Sequence, residues 1–297
     1  MLQKEGAPNQ PSAPERAMAS GFRKYVRNST AESVFSSLRG TPPPGDRRVG
    51  SIDKEMNLEI DKIKAICFDF GNTLIEFGPK QVAYHYAALQ EALQDQFGHC
   101  DPNLLKSIRD RQIVAPFSNG YRENDLRTIC HELIVRIYNI QPNDSQVEKL
   151  MQTRFDTYVQ VVELPDGVRT LLRKLRQRFV LGLLSNYPCS KSVLAGLDKI
   201  GLSDLFESIT ISGDIGYVKP HAKPFEVMLS QLELSPAECV YIGDNWLADV
   251  QGAKRVGMHS VLTTQFAAYE KFEPAEGDFF PDMRIKHIEE LERLFCC

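Results

Sequence analysis

The chain has little of what marks several large classes of protein. No apolar run approaches the roughly 20 residues that a bilayer-crossing helix requires. The N-terminus carries no compact apolar core behind its first charges, so the sequence reads as neither membrane-spanning nor secreted. A basic excess is also missing: 35 Lys and Arg stand against 39 Asp and Glu, a net charge of −4. That balance gives no electrostatic case for a nucleic-acid partner, while a small anion needs only one local cation. The seven cysteines (Cys67, Cys100, Cys130, Cys189, Cys239, Cys296 and Cys297) form no C-x-x-C pair and mostly lie within apolar stretches. They read as free thiols in a cytoplasmic protein rather than as a disulfide framework, a zinc site or a redox pair. Cys296-Cys297 is not a prenylation box, which places its cysteine four residues from the end.

With 297 residues, 42% of them hydrophobic, there is enough apolar side chain for one large core or a core with a smaller companion. Residues 1–58 stand apart, rich in Pro, Ser, Gly and Arg, and read as a disordered extension. Within them only 21–40 has the spacing of a short basic amphipathic helix. From Lys62 the character changes. IKAICFDF (63–70) is a short apolar run that ends in an aspartate and a turn, as a buried strand does. Similar runs recur at 179–186, 208–212, 239–244 and 260–264, separated by helical patterns such as VRTLLRKLRQ and PFEVMLSQLEL. Strands alternating with helices predict an α/β fold, a doubly wound parallel sheet. Between Ile75 and Pro165 three segments, 80–97, 121–138 and 145–162, have helical spacing without a strand, which predicts an inserted helical unit at the C-terminal edge of the sheet. IKHIEELERLF (285–295) predicts a final helix.

Polar groups gather at the ends of these strands: Asp69 with Asn72 and Thr73, Ser185 with Asn186, Lys219, and Asp244 with Asp249. Two strand-end carboxylates on neighbouring strands repel unless a cation lies between them, and an all-oxygen ligand set selects a hard ion such as Mg²⁺. A lysine and a serine hydroxyl beside them suit the oxygens of a phosphoryl group, and a carboxylate within reach of the phosphorus can attack it.

Four stretches in this order, DFGNTL (69–74), LLSNY (183–187), VKPHAKPFE (218–226) and YIGDNWLADVQGA (241–253), resemble the four motifs of the haloacid dehalogenase-like hydrolases. The resemblance runs from about residue 63 to 264. It implies a Rossmann-like core at 59–78 and 165–297 and a helical cap at 79–164. It further implies a magnesium-dependent phosphatase acting on a small phosphorylated metabolite. Asp69 would be the nucleophile, with Lys219 as the charge-stabilising catalytic group. Thr73, Ser185, Asn186 and Lys219 would bind phosphate. Asp69, the Gly71 carbonyl and Asp244 would ligate the metal, and Asp249 would support it from the outer shell. Gly252-Ala253 is expected to serve close helix–sheet packing.

One position departs from the pattern. Phosphatases of this family carry a second aspartate two residues after the nucleophile as general acid and base, and this chain has Gly71. Glu76, His85, water, or a substrate with a good leaving group are each conceivable compensations. The departure keeps open a catalytically silent binding protein; a phosphotransferase is a smaller alternative, since an acceptor other than water can resolve an aspartyl-phosphate, while a haloacid dehalogenase is opposed by the Asp244–Asp249 pair and by Gly71.

Overall fold

The computed structural model describes residues 58–266 and 277–296. The extension and its amphipathic segment at 21–40 lie outside the described residues, as does Cys297. Leu58, assigned to the extension from sequence, is buried against the core, because its side chain joins the cluster that also contains Ile63.

Five of the strands fall where the apolar runs placed them: β1 Ala65–Phe68, β2 Val180–Ser185, β3 Ser208–Ile211, β4 Cys239–Gly243 and β5 His259–Thr263. With β6 Met283–Ile285 they form one sheet in the order β3-β2-β1-β4-β5-β6, every neighbouring pair parallel. Alternation decides which face each side chain takes. Ile66 and Phe68 of β1 and Val240 and Ile242 of β4 enter one apolar cluster, while Ala65, Cys67, Cys239 and Tyr241 enter another on the opposite face. Helices α5 (Val168–Leu175), α6 (Ser190–Lys199) and α8 (Glu290–Phe295) supply the first cluster, and α7 (Ala222–Leu232) supplies the second. A parallel sheet covered on both faces has strands that are apolar throughout. Accordingly all four residues of β1 and all five of β4 are buried. A Cβ on Gly252 would stand 2.5 Å from the Phe225 ring, so the expected close approach at this glycine is real.

Four helices lie between β1 and α5: α1 Pro79–Phe97, α2 Pro102–Ser118, α3 Leu126–Tyr138 and α4 Asp144–Val161. They bury an apolar cluster of their own. In α3 Leu126, Ile129, Cys130, Leu133 and Ile134 repeat at helical spacing and face Leu89 and Leu93 of α1 and Leu150 of α4. Asp125 caps α3 by accepting the Thr128 amide at 2.7 Å, and Asn143 caps α4 by accepting from Gln146 at 3.0 Å. Helix α2 escaped the sequence reading because it buries few apolar residues and contains Pro116.

The C-terminus corrects another expectation. The stretch 285–295 is an edge-strand residue, a turn and a short helix rather than one helix. Ile285, Ile288, Leu291 and Phe295 all reach the same core, which gives the stretch its helical spacing. Glu290 turns the chain by accepting from the Lys286 and His287 amides at 2.8 and 2.9 Å. Among the described residues, no helix is long and apolar enough to cross a membrane. Cys67, Cys100, Cys130 and Cys239 are buried free thiols.

Candidate active site

The two central strands, β1 and β4, end side by side, with the Asp69 amide bonded to the Ile242 carbonyl at 2.9 Å. Asp69 and Asp244 therefore leave the sheet at one point, as their strand-end positions required. Asp249 returns to that point from a turn of π-helix, Trp246–Gln251, held by its amide bond to the Asn245 carbonyl at 2.9 Å. The return requires Gly243, because a Cβ there would overlap the Asp249 carboxylate. Carboxylate oxygens of Asp69, Asp244 and Asp249 all lie within 4.8 Å of one another.

Lys219 enters the cluster from the loop before α7 and is 1% exposed. Its ammonium reaches Asp69 Oδ1 at 2.6 Å, Asp249 Oδ1 at 2.7 Å, the Tyr241 hydroxyl at 2.7 Å and the Leu184 carbonyl at 3.0 Å. Burial lowers its proton affinity, but the Asp249 and Asp69 carboxylates outweigh burial and hold it above the ordinary lysine value. Asp69 moves to about 6, because burial and Asp249 together outweigh the pull of Lys219. Asp244 is pushed well above the carboxylate range by burial and by the Asp69 and Asp249 charges. With all three carboxylates ionised, as a bound cation would hold them, they and the one ammonium sum to two negative charges in a confined space. A hard divalent cation balances that sum, and the donor atoms are all oxygens, so the residues fit Mg²⁺. Asp249 suits an outer position, since Oδ1 is taken by Lys219 and Oδ2 by the Asn245 amide at 2.9 Å.

The cluster lies in a cavity of about 250 Å³. Asp69, Gly71, Asn72, Ser185, Asn186, Lys219, Asp244 and Asp249, eight of the residues singled out from sequence, line it. Thr73 does not. It is fully buried, and its hydroxyl donates to Asp69 Oδ2 at 3.3 Å, so it touches the carboxylate instead of the open space. Asn186 spends its amide on the Lys219 backbone, accepting from its N–H at 2.8 Å and donating to its carbonyl at 3.1 Å. This pairing fixes the loop that delivers the lysine. Asn72, in a left-handed turn at φ 58°, accepts the Phe77 amide at 2.9 Å and closes the loop after β1.

Neither suggested substitute acid lines the cavity. Glu76 is exposed, and His85 is buried behind Phe77 and Tyr158, with its Nδ1 2.8 Å from the Thr157 hydroxyl. Burial, reinforced by Arg109 and Arg154, lowers His85 to about 4. The sequence reading missed Tyr241, which donates to the Leu184 carbonyl at 2.9 Å while accepting from Lys219. Its phenol in an otherwise aliphatic strand was the available signal. Also missed was the aromatic wall of Phe77, Phe117, Tyr158 and Tyr187, whose members come from distant segments.

A family model described as haloacid dehalogenase-like hydrolase matches residues 63–257. The chain belongs to the haloacid dehalogenase-like hydrolases. A glyceraldehyde 3-phosphate phosphatase of Methanopyrus kandleri is 30% identical over 231 residues, covering 77% of this chain and 95% of that protein. A phosphoglycolate phosphatase of Pectobacterium atrosepticum is 27% identical, covering 75% and 90% respectively. In fold, a 2-haloacid dehalogenase from Pseudomonas syringae superposes with a TM-score of 0.61 at 22% identity, over 79% of this chain and 98% of that one.

Proposed function

We propose that this hydrolase is a magnesium-dependent phosphatase for small phosphomonoesters, working through an aspartyl-phosphate on Asp69. The observation that carries the reading is the Asp69–Lys219–Asp249 quartet with Asp244, two charges short of neutrality on the floor of a cavity. Relatives named as phosphatases for small metabolites support the same substrate class.

Asp69, Asp244 and the Gly71 carbonyl would hold Mg²⁺, with Asp249 behind them, and the ion supplies positive charge to the phosphoryl oxygens. Lys219 fixes Asp69 Oδ1, leaving Oδ2, steadied by Thr73, to attack phosphorus. The new O–P bond forms as the bond to the leaving oxygen breaks. Ser185 and Lys219 offer hydrogen-bond donors to the transferring group, where negative charge is spread over its oxygens. The leaving oxygen takes its proton from water, since Gly71 has no side chain to give one. A second water then attacks the acyl-phosphate, returning the Asp69 carboxylate and releasing inorganic phosphate. We assign α1–α4 as the cap. It meets the core where the Arg122–Tyr217 bridge and the Val218 amide, bonded to the Tyr121 carbonyl at 2.8 Å, adjoin Lys219.

The test is phosphate release from an activated aryl phosphate by wild type and Asp69→Asn, with Mg²⁺ or with EDTA. Turnover by wild type with Mg²⁺, lost in the variant and in EDTA, is expected. Equal turnover by Asp69→Asn refutes the nucleophile, and no turnover by folded, metal-loaded wild type favours the silent binding protein that Gly71 leaves open.

A further inference from the structure

Among the described residues, Arg154 and Arg109 of the helical unit are arginines that make no ion pair with a carboxylate. Arg154 of α4 is 7% exposed, and its Nε and Nη1 atoms are buried without a hydrogen-bond partner. Arg109 of α2 lies over the Tyr86 ring at 5.1 Å, and nearby Asp110 is already engaged by Lys106 at 2.7 Å and by the Tyr86 hydroxyl at 3.0 Å. The two guanidinium charges repel one another, and Arg109 is lowered to about 10, first by burial and then by Arg154. A third orphan, His85 Nε2, is buried without a partner, and both arginines act on this ring. Positive charge and unmet donors so far from water are costly in a resting protein. They are what an anion-binding site consists of, since a guanidinium offers a planar fork to a carboxylate or phosphate.

The cluster borders the active site. Both arginines act electrostatically on Tyr187, and Tyr187 and Tyr158, their rings 4.3 Å apart, line the cavity over Asp69. His85 packs on Phe77, a third member of that wall, with ring centroids 5.6 Å apart. Tyr187 thus faces the cavity and feels both arginines, while Phe77 and Tyr158 face the cavity and pack against His85. The geometry points to a second anion subsite: Arg154 and Arg109 receive a carboxylate or second phosphate carried by the same substrate whose phosphoryl group meets Asp69. Resting on the phosphatase reading, this narrows the substrate to doubly anionic phosphomonoesters. It separates the chemistries named for the two relatives, since phosphoglycolate carries a carboxylate and glyceraldehyde 3-phosphate has no second acid. Tyr158 and Tyr187 would shift to admit the distal group, and its charge would meet the orphan donors of Arg154.

The experiment compares kcat/KM for phosphoglycolate and for glyceraldehyde 3-phosphate within each of wild type, Arg154→Gln and Arg109→Gln. Reading the ratio inside each variant cancels any general loss of folded enzyme. Wild type is expected to prefer the doubly anionic substrate, and either substitution to reduce that preference roughly 10- to 100-fold, the worth of a charge-assisted hydrogen bond. A wild type without the preference, or a ratio that survives both substitutions, overturns the proposal. If wild type hydrolyses no phosphomonoester, the phosphatase reading fails separately, and glycolate becomes the probe of the subsite. A glycolate-dependent shift of the His85 ring resonances, lost in Arg154→Gln, then sustains the anion site, and no shift in wild type overturns it.

Discussion

Replacing Gly71 with aspartate should convert a slow enzyme into a faster one on poor leaving groups. The backbone permits it, for Gly71 is not among the positive-φ glycines, and a Cβ there would meet nothing nearer than Phe77 Cβ at 3.6 Å. The position lines the cavity two residues beyond Asp69, so a carboxyl would enter the reaction space. Burial disfavours its charged form, as it does for Asp69 and Asp244. A raised pKa keeps the new carboxyl protonated near neutrality, which is the form a general acid needs. General acid catalysis contributes roughly 10²- to 10⁴-fold, or about 3 to 5 kcal/mol of barrier. The benefit should appear for alkyl phosphates, whose leaving oxygen needs a proton, and nearly vanish for activated aryl phosphates. The assay is the alkyl-to-aryl ratio of kcat/KM in wild type and Gly71→Asp at saturating Mg²⁺. A ratio unchanged within threefold would show that protonation of the leaving group does not limit this enzyme.

Removing Lys219 should cost more stability than any surface ion pair. Lys219→Met strands Asp69 and Asp249 as uncompensated buried carboxylates, for a loss of about 3 to 5 kcal/mol in EDTA, measured by urea unfolding. A loss below 1 kcal/mol would mean that water, not Lys219, solvates them. Saturating Mg²⁺ at a hundredfold over its Kd should stabilise wild type by about 2.7 kcal/mol, and Asp244→Asn should erase most of the Tm rise. His85 predicts a pH effect of definite sign. Its folded value near 4 lies below the unfolded value near 6.5. It costs nothing above pH 6.5, and stability falls as pH drops toward 4 because the unfolded chain binds the proton first. Between pH 7 and 5 wild type should lose about 2 kcal/mol more than His85→Asn, and equal losses by urea titration would place His85 in water. Glu123 accepts from the Ser212 hydroxyl where the helical unit meets the core. Ser212→Ala should therefore speed proteolytic cleavage in the 119–125 loop several-fold, and an unchanged rate would show that the backbone bridge alone holds the contact.

Much of the fold was legible because the core strands carry their signal locally. Ala65–Phe68 and Cys239–Gly243 are apolar runs ending in aspartate, and a buried parallel strand has little other way to be written. Met283–Ile285 was not legible: three residues at a sheet edge, with Arg284 exposed, carry no period. The candidate site divides in the same way. Asp69, Ser185, Lys219, Asp244 and Asp249 come at strand ends or just beyond them, so chain order alone brings them to one edge. The aromatic wall could not be read this way, because Phe117 and Tyr158 reach the cavity through helix packing, which linear spacing does not encode. Thr73 shows a subtler limit, since the motif places it at the site and only the fold shows its hydroxyl turned inward to Asp69.

The competing reading, a silent protein that keeps the fold, meets an energetic difficulty in the quartet itself. Buried ion pairs are often no more stable than apolar residues of the same volume, so nothing in folding alone calls for Lys219 between two aspartates. Asp244 makes the difficulty sharper, because it adds a third carboxylate whose own proton affinity is raised by burial and by the Asp69 and Asp249 charges. A binding scaffold would be steadier with leucine at 219 and asparagine at 244. The arrangement becomes favourable once a divalent cation occupies the cavity, where its two positive charges balance the two left over by three ionised carboxylates and one ammonium. Gly71 leaves this balance untouched, since it removes a proton donor and no ligand charge. The loss at Gly71 therefore bears on rate and on leaving group, and the charge at Asp69, Asp244 and Asp249 bears on whether phosphate chemistry happens at all.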